Sequence, residues 1–143
     1  MQVKYALIAM ASVLMLGLNN AFAEDVTVSA QAVKFAPLVV FIQPGDRVSW
    51  TNMSGHDSQS LEGVIPDGAE HWHIGMGENG SVTLNVEGVY LYKCTPHWGF
   101  GMGGAIIVGE PTNIEQVKAN AQGAAKRLAI KANQAISQRA EAK

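Results

Sequence analysis

Tyr90-Leu-Tyr-Lys-Cys94-Thr-Pro-His97-Trp-Gly-Phe-Gly-Met102-Gly-Gly-Ala105-Ile-Ile-Val108 contains an apolar strand, a glycine-rich loop and a second apolar strand. Outward from it the pattern repeats. Short strands are expected at Val26–Ala30, Leu38–Ile42, Arg47–Asn52 and Val82–Val86, beside Tyr90–Cys94 and Ala105–Val108. Gln43-Pro44-Gly45-Asp46 places Pro and Gly at the centre of a turn, and Glu87-Gly88 separates two alternating runs as a hairpin would. Several short strands with no helix pattern between them indicate an antiparallel sandwich or small barrel. Residues 54–80 have little periodicity and six glycines, which predicts a long excursion over the sheets. After Pro111 the period changes: Ile114, Val117, Ala121, Ala125, Leu128, Ala132 and Ile136 recur at helical steps, with Gly123 as an interruption.

The 143 residues suit one domain, and 48% apolar with 15% charged residues excludes disorder. A net charge of −2 offers no basic surface for nucleic acid. Lys4, the apolar run from Tyr5 to Leu18 and Ala21-Phe22-Ala23 have the form of a secretory signal peptide cleaved after Ala23. Its apolar run is short for a bilayer span, so no membrane span is expected in the mature chain. The single Cys94 cannot close an intrachain disulfide, and an exported free thiol calls for burial or a bound partner.

Thiolate, imidazole and thioether meet on the one loop through Cys94, His97 and Met102. These soft and borderline donors suit copper, not magnesium or calcium. Pro96, Gly99, Gly101 and Gly103 permit the sharp turning needed to aim all three at one ion. A fourth ligand must come from elsewhere, and His56, after the strand ending at Asn52, is best placed because sandwich loops cluster at the sheet ends. His71 and His73 flank Trp72, so an extended segment would turn both outward and Trp72 inward. Met53 and Met76 are read as core filler.

Cys-x2-His-x4-Met before a final strand, with Gly55-His56 after a Pro-Gly-Asp turn, resembles the type 1 blue-copper cupredoxins, and most closely the pseudoazurins. Phe35-Ala36-Pro37, Ile65-Pro66-Asp67-Gly68-Ala69-Glu70, Gly88-Val89-Tyr90, Lys93-Cys94-Thr95-Pro96-His97 and the helical tail carry the similarity over the mature chain. The resemblance implies an all-β, cupredoxin-type antiparallel Greek-key sandwich over residues 24–109, after a signal peptide over 1–23. A C-terminal helical extension over 110–143 would pack upon it. It implies one copper per chain on His56, Cys94, His97 and Met102, His56 buried and His97 at the rim.

The resemblance further implies a periplasmic, monomeric electron carrier, not an enzyme, passing single electrons among redox proteins such as a cytochrome, a nitrite reductase or a dehydrogenase. A periplasmic copper-delivery protein is the alternative. Pseudoazurins carry Asn where this chain has Asp57 and usually Met where it has Phe100, and most of the lysines that ring their copper end are absent here. Residues 24–109 hold three basic residues (Lys34, Arg47, Lys93) and nine acidic ones, whereas 110–143 hold six basic and three acidic. Because Asp57, Glu62, Asp67 and Glu70 follow His56, some negative charge is expected near the copper end, and with it a partner whose docking face is basic or a mainly apolar contact with weak steering.

Overall fold

The computed structural model describes residues 22–143. The leader expected over 1–23 lies, apart from its last two residues, outside the described residues. Among the described residues nine strands form two sheets: β1 (Asp25–Gln31), β2 (Lys34–Ala36), β3 (Val39–Ile42), β4 (Arg47–Thr51), β5 (Ser58–Ser60), β6 (His73–Ile74), β7 (Gly80–Thr83), β8 (Gly88–Lys93) and β9 (Gly103–Val108). One sheet has the order β2-β1-β4-β7 and the other β3-β9-β8-β5-β6. The purely antiparallel expectation is corrected: β1 runs parallel to β4, and β3 parallel to β9, so both sheets are mixed. The physical reason is the path of the chain. It changes sheet between β2 and β3 and again between β3 and β4, so spatial neighbours are not sequence neighbours and no hairpin signal reports their sense.

The same crossing corrects the Glu87-Gly88 reading. These residues connect β7 in one sheet to β8 in the other, so the two alternating runs face each other across the core without pairing. The Pro44-Gly45 turn is present, with Gly45 at φ 93° and the Asp46 N–H donating to the Gln43 carbonyl at 3.0 Å. Asp46 accepts in turn from the backbone N–H groups of Gln43 and Glu24 at 2.7 and 2.8 Å, which explains why this carboxylate is buried. Within the 54–80 excursion β5 and β6 form the edge of the second sheet; two- and three-residue strands are too short to show a period.

Between the sheets lie Phe35, Trp50, Trp72, Tyr90 and Tyr92, with Trp50 edge-on to Tyr92 at 5.2 Å between centroids. A second core lies on the outer face of the β3-β9-β8 sheet. There Val89, Leu91, Ala105 and Ile107 pack against α1 (Ile114–Asn120) and α2 (Ala124–Glu141) through Val117, Ala121, Ala125, Leu128, Ala129 and Ala132. This second layer explains why β9 is buried at all six positions and reads as a continuous apolar run. Asn113 fastens the start of α1 to β8, accepting from the Val89 N–H at 2.7 Å and donating to its carbonyl at 3.0 Å. Gly123, at φ 56°, breaks the helical run at the expected position. Among the described residues no helix is long and apolar enough to cross a membrane.

Candidate metal centre

Register fixes which loops share an end of the sandwich. β8 and β9 are antiparallel with Lys93 opposite Gly103, so the Cys94–Met102 connection closes one end. β4 delivers Met53 and His56 to that end, because it is parallel to β1 and antiparallel to β7, whose first residue, Gly80, pairs with Trp50. His56 is further fixed by its own N–H donating to the Met53 carbonyl and by its carbonyl accepting from Gly77, both at 2.8 Å.

Three donor atoms converge there. The Cys94 Sγ lies 3.6 Å from the Nδ1 of His56 and 3.6 Å from the Nδ1 of His97, and the two Nδ1 atoms are 3.2 Å apart. A circle through these three atoms has a radius of about 2 Å, the length of a first-row metal–nitrogen bond. Two ring nitrogens and a sulfur aimed at one point bring lone pairs together, which a shared proton or a cation between them relieves. Burial, then the adjacent His97 ring, pushes the His56 imidazole pKa down, against the pull of Asp57, and burial pushes the Cys94 thiol up. A copper ion fits this set: it neutralises the thiolate that burial penalises and occupies the point at which the lone pairs meet.

Cys94 is fully buried and His56 only 8% exposed, whereas His97 is half-buried at the rim. Met102 is 1% exposed in the same core cluster as Cys94, its carbonyl accepting from the Cys94 N–H at 2.9 Å and its N–H donating to the His97 carbonyl at 3.2 Å. The structure therefore brings together Cys94, His97 and Met102 on one loop and His56 from another. Between them Trp98–Phe100 form a 3-10 turn closed by Gly101 in the left-handed region, at φ 75°.

Asp57, not singled out as a holding group from spacing, joins the two loops: its buried carboxylate accepts from the Thr95 N–H at 2.5 Å and meets the His73 Nε2 at 3.2 Å. Burial raises its pKa, but the Thr95 and His73 contacts outweigh that and hold it below the ordinary carboxylate value. His71 and His73 both turn outward, as the alternation about Trp72 implies; His71 Nδ1 meets Ser60 Oγ at 2.9 Å while His73 meets Asp57. Trp72 points inward, its indole N–H donating to Ser58 Oγ at 3.1 Å. Met53 is core, but Met76 is 55% exposed on the β6–β7 loop beside His56, because that loop turns at Gly75 and Gly77 and never reaches the core.

Charge departs from the sequence expectation. At the His56–Cys94 end stand Lys34 at the start of β2, Lys93, and Lys126 and Arg127 in the first turn of α2, against Glu78 and the buried Asp57. Glu24, Asp25, Asp46, Glu87 and Glu110 gather at the other end. Asp67 lies toward that end too, because its neighbour Pro66 packs on Gly88 at the start of β8. The excursion carries Asp67 away from the site, while Glu62 shares a surface hollow with Lys93; the first turn of α2 brings Lys126 and Arg127 to the ligand loop, and its far end places Arg139 over Phe41, near Glu87 and Glu110.

Residues 23–109 match the family of copper-binding proteins described as plastocyanin/azurin. The chain is 35% identical to a pseudoazurin of Methylorubrum extorquens over 86 residues, 59% of this chain and 58% of that one, and matches span about three fifths of such curated pseudoazurins. It is 36% identical to a chloroplastic plastocyanin of Chlamydomonas reinhardtii over 118 residues, 73% of this chain and 81% of that one. A pseudoazurin structure from Sinorhizobium superposes with a TM-score of 0.70 at 41% identity, covering 76% of this chain and 92% of that one. The chain thus belongs to the plastocyanin/azurin family of copper-binding proteins, as a pseudoazurin-like blue-copper protein with copper as its cofactor.

Proposed function

We propose that the chain is a periplasmic electron carrier whose single copper is held by His56, Cys94, His97 and Met102. The observation that carries this reading is the convergence of two imidazole nitrogens and a buried thiol sulfur on one point, with a buried methionine next to them in the core. Bound there, copper would supply a one-electron Cu(I)/Cu(II) couple, and two imidazoles, a thiolate and a thioether are donors that suit both oxidation states. The protein's part is to hold those donors in place. Cys94 is fixed by its N–H to the Met102 carbonyl, His56 by its two backbone hydrogen bonds, and the loops by Asp57. Four protein donors leave no open position for substrate, which favours a carrier over an enzyme.

His97 is the most exposed of the four, and Phe100, 77% exposed, stands beside it on the same loop. Electrons then enter and leave by the His97 ring edge through an apolar patch. The cations of Lys34, Lys93, Lys126 and Arg127 at this end favour a redox partner with an acidic docking face, of the cytochrome, nitrite reductase or dehydrogenase kind. The basic partner expected from the sequence order of the acids is not retained. Lys4, the apolar run 5–18 and Ala21-Phe22-Ala23 support export through a signal peptide.

Voltammetry of the copper-loaded chain, with a copper chelator present, tests the reading. A reversible one-electron wave with no loss of metal over repeated cycles is the expected result; release of copper to the chelator on reduction would mark a delivery protein instead.

A further inference from the structure

Helix α2 touches the ligand loop on both sides of Met102. The Arg127 Nη2 donates to the Gly101 carbonyl at 2.7 Å, and the guanidinium lies along that peptide, so that a Cβ on Gly101 would stand 3.5 Å from Nη2. One residue beyond Met102, Gly103 lies under Leu128: a Cβ there would come within 2.8 Å of Leu128 Cδ1 and 3.1 Å of Trp98 Cζ3. Two consecutive residues of one helix therefore bracket Met102. The loop holds itself through the Gly101 N–H to the Trp98 carbonyl at 2.8 Å, the Met102 N–H to the His97 carbonyl and the Met102 carbonyl to the Cys94 N–H; Arg127 adds to these a hold from outside the loop, on the Gly101 carbonyl.

A thioether carries no charge that would draw it to a fixed distance from a metal. Its approach is set by the backbone that bears it, and groups that hold a ligand's backbone tune the centre without touching it. We propose that Arg127 is a positioning residue of the copper centre: by clamping the Gly101 carbonyl it fixes the Met102 backbone, and so how closely the thioether stands to the metal. The proposal rests on Met102 being the axial ligand. Leu128, fully buried, serves the helix core as well, whereas Arg127 is exposed and its role is separable from folding. Lys126, in the same turn and equally exposed, brings the same charge without a hydrogen bond to the loop, and so makes the control.

The test compares the full chain with Arg127→Ala, Arg127→Lys and Lys126→Ala. In the copper-free proteins, amide hydrogen exchange at Gly101 and Met102 is expected to quicken about tenfold or more in Arg127→Ala, as for the loss of a hydrogen bond to a charged group, and to stay unchanged in Lys126→Ala. In the Cu(II) proteins the visible band pattern, the electron paramagnetic resonance symmetry and the reduction potential should all move in Arg127→Ala, move less in Arg127→Lys, and keep the wild-type spectrum in Lys126→Ala. Wild-type exchange and spectrum in Arg127→Ala would overturn the proposal. So would a potential that moves while the spectrum does not, or a Lys126→Ala variant that reproduces the change, since either would reduce Arg127 to a charge. Failure of the ligand set would be seen separately, as a wild-type chain with no intense copper–thiolate absorption, and the exchange experiment would still decide whether the clamp exists.

Discussion

Asp57 shows how one side chain can do two jobs. Its Oδ1 holds Thr95, next to Cys94, and its negative charge lies beside His56 in a buried setting. Asn keeps an oxygen in the same place for the Thr95 N–H but carries no charge. Asp57→Asn should therefore keep the loop and raise the reduction potential, since a nearby anion favours Cu(II) over Cu(I); the expected shift is on the order of 1 kcal/mol, or about 40 mV. Voltammetry checks it, and an unchanged or lowered potential would contradict it. Met102→Gln should retain copper while its potential shifts, because the axial donor tunes the metal more than it holds it; loss of copper in a metal analysis of that variant would contradict the axial assignment. Cys94, His97 and Met102 were legible in the sequence because one loop carries all three, and His56 because sheet ends gather loops. Asp57 and Arg127 act over 38 and 26 residues of separation, which no local pattern encodes, and Met76 was misread because hydropathy cannot tell a core methionine from one on an exposed turn.

Among the elements, β8, β9 and α2 do most to place the site. β9 can lie flat between β8 and α2 because Gly103 and Gly104 have no side chains: a Cβ on Gly104 would run into the Tyr92 phenol, itself locked against Phe35 and Trp50. Gly104→Ala should lower stability by about 1–3 kcal/mol, read as a fall in the denaturation midpoint of the copper-free protein. Leu128→Ala removes a fully buried side chain from the outer core and should cost about 3 kcal/mol, whereas Ile130→Ala, at a half-exposed position of the same helix, should cost less than about 1 kcal/mol. Equal costs would mean that α2 does not dock through the face seen here. The helix stripe was legible in the recurrence from Ile114 to Ile136, and the long strands in their apolar runs. The edge strands β5 and β6 were not, because they are ordered by neighbours: Ser60 Oγ accepts from the Trp72 N–H at 3.0 Å, and Gln59 pairs with both His73 and Lys93. Strand direction was equally hidden, since parallel pairing here joins segments at least 20 residues apart.

At the scale of the whole molecule the charge is uneven: Lys34, Lys93, Lys126 and Arg127 outnumber Asp57 and Glu78 around the ligand loop, while at the far end the acids outnumber Arg47, Arg139 and Lys143. Counting charges along the sequence put acids near the ligands, where Asp57 and Glu78 do stand, but missed Lys126 and Arg127, because sequence order says nothing of where a distant helix returns. Electron transfer to a partner with an acidic docking face should slow as ionic strength rises, the effect fading near 1 M salt, where the Debye length is about 3 Å. Stopped-flow rates over a salt series check this, and faster reaction at low salt with a basic partner would contradict it. The most direct test of the central claim is titration of the copper-free chain with Cu(II), followed by visible absorption, alongside Cys94→Ser. An intense copper–thiolate band that saturates at one copper per chain and is abolished by the substitution is expected. Weak absorption in the wild-type chain, or an intense band that survives in Cys94→Ser, would contradict it.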